Sequence, residues 1–136
     1  MRILVDTNIL LDVLHQRSPH HVWSSEIWRL AETRVVTGYV AAISYSNIFY
    51  IAAKSIGAVA AMDAVNRIRN SFHTVTFDEG LLDAAIAMGG PDLEDSLQAA
   101  SAVQAGVRFL ITRNVADFAS LGVHAITPTD FLAIAE

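Results

Sequence analysis

Three short segments carry the residues able to do chemistry. Asp6-Thr7-Asn8 follows one apolar run, and Thr112-Arg113-Asn114-Val115-Ala116-Asp117 follows another. Between them, Asp92-Leu93-Glu94-Asp95 opens a helical pattern. Carboxylates crowded together repel, and each resists ionisation unless a cation joins them. Oxygen donors of this hardness select Mg²⁺ or Mn²⁺. Such an ion can activate water and offset the charge of a phosphodiester during hydrolysis.

Each of these residues also has a plainer reading. Asp6 at a strand end can cap the next helix, and Asp92 reads as an N-cap. Glu94 in a first turn can simply favour the helix dipole. Asp95 shares a helical stripe with Ala99, Ala102 and Gly106, so it can face a tight cleft or stay solvated. Asp117 precedes Phe118, which can anchor the segment while the acid points away. Asn114 can cap a short helix. Ser44-Tyr45-Ser46-Asn47 resembles a capping box with Asn in place of Glu or Gln, or Asn47 brings an amide oxygen to the site. Thr112 and Ser96 either orient carboxylates or satisfy backbone groups. His20-His21 reads as surface. Trp23 and Trp28 share one helical pattern but cannot both face its core.

The elements that must position these residues alternate. Strand-like runs are expected at Arg2–Val5, Arg34–Thr37, Phe72–Thr76, Val107–Ile111 and Val123–Ile126. Helices are expected at Thr7–His15, from Ser18-Pro19 to Thr33, from a Ser44 cap to Lys54, and at Ile56–Asn70. Further helices follow from an Asp78 cap to Met88 and from an Asp92 cap to Ala105. A short one follows Asn114, and another starts at Thr127-Pro128. Strands interleaved with helices imply a parallel sheet covered on both faces. Open sheets of this kind place their sites at the carboxyl ends of the strands. That is where the acids and amides fall.

Composition narrows the class. The chain has 136 residues, 53% hydrophobic and 17% charged, which fits one folded domain over 1–136 and excludes intrinsic disorder. A net charge of -5 argues against gripping nucleic acid through a general basic field. The acidity is uneven: residues 1–68 hold five acids against six Lys+Arg, and residues 69–136 hold nine against three. There is no cysteine, which excludes disulfides, thiolate zinc sites and thiol catalysis. Asp6 cuts the apolar start too early for a secretory signal. Polar residues and Gly38 interrupt the uncharged stretch from Val35 to Ala53, so a cytoplasmic protein is expected rather than a membrane span. The apolar excess points to a partner surface, and residues 39–61, whose only charge is Lys54, are the candidate. No phosphate loop, dinucleotide fingerprint or nucleophile elbow occurs.

Three motifs, in order over nearly the whole chain, resemble those of PIN-domain ribonucleases: Val5-Asp6-Thr7-Asn8-Ile9-Leu10-Leu11-Asp12, then Asp92-Leu93-Glu94-Asp95-Ser96-Leu97-Gln98-Ala99-Ala100, then Ile111-Thr112-Arg113-Asn114-Val115-Ala116-Asp117-Phe118. The resemblance implies a three-layer α/β/α fold around a five-stranded parallel sheet. It implies an endoribonuclease dependent on Mg²⁺ or Mn²⁺, of the kind that serves as toxin in type II toxin–antitoxin modules. The implied partners are RNA, a cognate antitoxin and a second copy in a homodimer. Asp6, Asp95 and Asp117 occupy the positions of the acidic, metal-binding core. Asn8, Thr112 and Asn114 are expected to orient carboxylates or water, and Arg113 to meet an RNA phosphate. Two positions depart from the family pattern: Asn114 stands where many members have aspartate, and Asn47 about where most carry glutamate. Glu94 can compensate for the lost charge. The departures keep open a binding module of the same fold with weak or no nuclease activity. Phosphoryl transfer through Asp6 is a further alternative, but it wants a lysine, and Lys54 is the only one.

Overall fold

The run Arg2–Val5 (β1) buries Ile3, Leu4 and Val5 completely. A strand with no solvent-facing side has to lie inside a sheet covered on both faces. The computed structural model, which describes residues 1–135, places it there. The chain continues through α1 (Thr7–Leu14), α2 (His20–Glu32), β2 (Thr37–Ala41), α3 (Ala42–Ile56), α4 (Ala58–Ser71) and β3 (His73–Val75). It then forms α5 (Glu79–Met88), α6 (Leu93–Ala105), β4 (Phe109–Ile111), a 3-10 turn (Val115–Phe118), β5 (Ala125–Ile126) and α7 (Pro128–Ile134).

All four strand pairings are parallel, in the order β3-β2-β1-β4-β5. Leu4 of β1 stands opposite Tyr39 on one side and Leu110 on the other. Alternate residues feed opposite layers. Ile3, Val5, Val40, Phe109 and Ile111 pack with Ile9 and Leu10 of α1, Ile27 and Trp28 of α2, and Phe131 of α7. Leu4, Leu110 and Val75 pack against Ala99 and Ala102 of α6 and against Phe118. This is the expected α/β/α sandwich around five parallel strands. The strand order reverses direction between β1 and β4, so the crevice at their carboxyl ends is the fold's natural binding position.

Three helix starts follow from side chains that accept an orphan backbone N–H. Asp78 Oδ1 accepts from Leu81 at 2.9 Å, Asp92 Oδ1 from Asp95 at 3.1 Å, and Thr127 Oγ1 from Asp130 at 3.2 Å. Other boundaries depart from expectation. The second strand lies at Thr37–Ala41, after the expected Arg34–Thr37. The N–H groups of Arg34, Val35 and Val36 turn back to the Ala31 and Leu30 carbonyls, so they close the end of α2 and cannot join a ladder. Pro19, not Ser18, stands at the cap position of α2, and no side chain caps that helix. Ser44 does not cap α3: the helix begins two residues earlier, and Ser44 is buried within its first turn.

The uncharged stretch over 35–53 is divided between β2 and α3, and no helix among the described residues is long and apolar enough to cross a membrane. Of the two tryptophans, Trp28 is buried and Trp23 is 37% exposed. Within the candidate partner region, Ile48 and Ala52 are buried, whereas Tyr50, Ile51, Ile56 and Val59 are exposed, as is neighbouring Met62.

Gly38 shows how closely this face is packed. A Cβ there would fall 2.6 Å from the Phe72 ring and 2.9 Å from the Ala31 Cβ. Phe72 is itself held edge-on against Trp28, with ring centroids 6.0 Å apart. Gly38→Ala is therefore expected to lower the unfolding free energy by about 1–3 kcal/mol through overpacking. Urea unfolding of the two proteins at equal slope measures this directly, and an unchanged midpoint would show that the Phe72 ring has room to retreat.

Candidate active site

Asp6 begins the site because β1 ends one residue before it. Its backbone N–H still reaches the Ile111 carbonyl at 2.9 Å, continuing the β1–β4 ladder. Its side chain is 8% exposed. Oδ1 accepts from the Thr7 backbone N–H at 2.7 Å, which caps α1, and Oδ2 accepts from the Thr112 hydroxyl at 2.8 Å. Thr112 Oγ1 in turn accepts from the Asn114 N–H at 3.0 Å. The two strand ends are thus tied through one carboxylate. Capping α1 does not exhaust Asp6, because each carboxylate oxygen keeps a second lone pair.

Around Asp6 lies a cavity of about 310 Å³, lined by Asn8 and Leu11 of α1, by Asp92, Glu94 and Asp95, and by Asn114 and Asp117. No lysine or arginine lines it. Asp92 caps α6 while facing this cleft. Asp95 lies in the first turn of α6, whose buried Ala99 and Ala102 let the helix sit close over the sheet. Asp117 is carried by the 3-10 turn and anchored by its neighbour Phe118, which is 1% exposed. Asn114 makes no side-chain cap to that turn.

Crowding without a countercharge shows in the acidities. Burial, above all, raises the Asp6 carboxyl above its ordinary value; the hydrogen bonds from Thr112 and Thr7 oppose this, and the charges of Glu94 and Asp117 add to it. Asp95 is pushed up to about 6, first by desolvation, then by the charges of Asp92, Asp6, Asp117 and Glu94. Every charged neighbour that acts on either group is an acid.

The other expected residues distribute unevenly. Asn47 does not line the cleft; from the second turn of α3 its Nδ2 donates to Glu94 Oε1 at 3.0 Å, bracing that acid from outside. Ser96 Oγ is buried and has no hydrogen-bond partner among the described residues, so it holds none of their carboxylates. Arg113 turns away from the cleft. Its Nε and Nη2 donate to the two oxygens of Asp12 at 2.7 and 3.1 Å, so its guanidinium is held by a carboxylate. Lys54 lies over the Tyr50 ring at 4.1 Å, on exposed α3, and is no part of the site.

Sequence reasoning missed a buried polar junction beneath the cleft. Thr7 Oγ1 donates to Ser44 Oγ at 2.9 Å, and Gln98 Nε2 donates to the same Ser44 Oγ at 2.7 Å. These bonds tie α1, α3 and α6 together directly under Asp6. The available signal was Gln98 itself, a polar residue in the small-residue stretch Leu97–Ala102.

The donor set fits a hard divalent cation. It consists of oxygen donors, and the Asn8 Oδ1 among them is buried without a hydrogen-bond partner. Among the described residues, no three carboxylates or imidazoles stand close enough together to hold an ion as they are. The carboxylates that face the cleft and could be drawn together by an ion are Asp6, Asp95 and Asp117, with Glu94 and Asn8 also in the lining.

Comparison with known proteins bears on the family and the fold. A family model described as PIN domain matches residues 2–116. No curated protein matches the chain in sequence. VapBC2 from Rickettsia felis, solved bound to a DNA fragment from its promoter, superposes with TM-score 0.73 at 15% identity, covering 93% of this chain and 98% of that one. A toxin–antitoxin complex from Klebsiella pneumoniae gives TM-score 0.71 at 21% identity, covering 93% and 97%. VapC20 from Mycobacterium tuberculosis, described as a sarcin–ricin loop cleaving toxin, gives 0.69 at 15% identity, covering 89% and 95%.

The raised acidity of Asp95 has a definite consequence for stability. Its carboxyl titrates near 3.8 as a free group and near 6 in the fold. Between those values the folded chain binds the extra proton, so the stability linked to this group is present below about pH 4 and lost as pH rises through about 6. In chelator, Asp95→Asn is expected to be more stable than the parent at pH 7, with the gap closing toward pH 4. Urea unfolding across that range tests it, and a variant no more stable at pH 7 would overturn the account of crowding.

Proposed function

This chain belongs to the PIN-domain family, and from its acidic cleft we propose that it is a divalent-metal-dependent endoribonuclease, acting as the toxin of a toxin–antitoxin module. The observation that carries the reading is the convergence of Asp6, Glu94, Asp95 and Asp117 on one cleft without a lysine or arginine. The description of the Mycobacterium tuberculosis neighbour as a sarcin–ricin loop cleaving toxin supports RNA as the substrate.

Asp6, Asp95 and Asp117 would hold Mg²⁺ or Mn²⁺, directly or through its waters. Bound there, the ion supplies Lewis-acid activation of water and offsets phosphodiester charge. The chain's own residues prepare the place. Thr112 and the Thr7 N–H fix the orientation of Asp6. Asn47 steadies Glu94, so a neutral amide at that position serves the site by holding an acid rather than by adding a charge. Asn8 and Asn114 offer amides to water or to a carboxylate at the cleft wall. The absence of basic residues from the cleft leaves the offsetting of substrate charge to the ion, which reconciles an acidic chain with a nucleic-acid substrate.

An antitoxin or a second copy has an apolar surface to meet. Tyr50, Ile51 and Ile56 of α3 and Val59 and Met62 of α4 are all exposed. Two neighbours are described as VapBC2 and as a toxin–antitoxin complex, which supports a protein partner for this fold.

Three measurements test the proposal. Asp6→Asn, folded by circular dichroism, is expected to lose metal-dependent RNA cleavage by roughly a thousandfold, the equivalent of several kcal/mol of barrier. Cleavage at the parent rate, or no Mn²⁺ binding by the parent in millimolar titration calorimetry, would sink the assignment and favour a non-catalytic binding module. Tyr50→Asp is expected to weaken self-association or antitoxin binding in sedimentation experiments; a parent that stays monomeric and binds no partner helix would remove this face from consideration.

A further inference from the structure

We propose that a second cavity, between α2 and α7, is a nucleobase pocket that takes a guanine of the RNA strand entering the acidic cleft. The inference rests on the nuclease reading above. The cavity is about 380 Å³, within the range of small-ligand sites. His20, Trp23 and Ser24 line it from one face of α2, and Thr127 and Pro128 from the start of α7. Arg113 lines it as well.

Four observations point to a planar ligand with acceptor groups. Trp23 is 37% exposed, although the same helix buries Trp28. An indole left open beside a cavity is a stacking surface, and stacking contributes to single-stranded recognition whatever the base. Ser24 is wholly buried, yet its hydroxyl has no hydrogen-bond partner among the described residues. Such a group is costly unless something satisfies it. Among the described residues no acid lines the pocket, while His20 and Arg113 both bring donors.

Arg113 gives the fourth observation and selects the base. Its Nε and one Nη2 hydrogen are committed to Asp12, which fixes the plane of the guanidinium. Of five donors, three remain, and those on Nη1 and Nη2 lie parallel along the outer edge. Two parallel donors match the O6 and N7 acceptors of guanine; adenine offers N7 but places a donor beside it. Arg113 also stands between Thr112, which holds Asp6, and Asn114, which lines the acidic cleft. Arg113 lies at a bend between them, and it lines the second cavity while Asn114 lines the acidic cleft. The segment after β4 thus borders both places, and in this reading one RNA strand lies across them. His20, expected to be merely surface, becomes part of a site.

The test uses binding without catalysis. Asp6→Asn protein in chelator is titrated with guanosine, adenosine, uridine and cytidine 5′-monophosphates while Trp23 fluorescence is followed. Saturable quenching by the guanosine nucleotide is expected, with adenosine bound at least about tenfold more weakly. Trp23→Leu should weaken guanosine nucleotide binding measured by calorimetry without moving the melting temperature. Ser24→Ala, which removes an unpartnered hydroxyl, should fold normally and weaken binding measured by calorimetry. Arg113 is left in place because its removal would strand buried Asp12. Guanosine monophosphate should also displace a bound single-stranded RNA. Equal affinity for all four nucleotides, no saturable binding, or an unaltered Ser24→Ala overturns the pocket. Nucleotide binding that leaves RNA in place overturns its assignment to the substrate strand. RNA cleavage by the parent without nucleotide binding removes the pocket alone; nucleotide binding without cleavage removes the nuclease reading alone.

Discussion

A carboxylate at the end of a central parallel strand must be hydrogen-bonded, neutralised or expelled. Asp6 is held by the first. The Thr7 N–H and the Thr112 hydroxyl satisfy one lone pair on each oxygen, and they come from the two elements that meet at the crevice. The remaining lone pairs face a cleft whose other charges are also negative. Desolvation outweighs the two bonds, so the group stays harder to ionise than a free aspartate. The fold thereby stores an electrostatic demand at one point, and a hard cation is the simplest thing that answers it.

The neighbouring elements follow from the need to hold that point still. Beneath Asp6, Ser44 accepts from both Thr7 and Gln98, so three helices share one hydroxyl. Breaking a buried hydrogen bond leaves its partner desolvated and unpaired, which makes such a junction sensitive to small displacements. Above it, α6 can approach because Ala99 and Ala102 are small, and that approach brings Asp92, Glu94 and Asp95 to the cleft. To the side, Asp12 is fully buried and paired with Arg113, which fastens the segment after β4 to α1. The same arginine that joins the two elements presents its free edge to the cavity beside α2.

The strand–helix alternation, the caps at Asp78, Asp92 and Thr127, and the parallel sheet were legible because each depends on residues close in sequence. Boundaries failed where a local signal was ambiguous. Residues 34–36 have the β-branched look of a strand, but their N–H groups are taken by the end of α2. Ser44 looks like a cap, and only its distant partners Thr7 and Gln98 show why a serine is needed inside the helix. Asn47 looked like a cap or a ligand, and what the fold shows is its amide donating to Glu94, forty-seven residues away.

By itself, the sequence determined which residues could meet. Residue type and period place Asp6, Asp95, Asp117 and Asn114 at strand ends or first turns on one rim, and a parallel topology leaves no other rim for them. Tertiary structure decided how they are used. Whether an arginine next to the site faces a phosphate or a buried aspartate, whether an asparagine caps a helix or braces an acid, and whether a histidine stays on the surface or lines a pocket all depend on partners tens of residues away. Those partners are chosen by competition for buried hydrogen bonds, and that competition has no signature within any one segment of the chain.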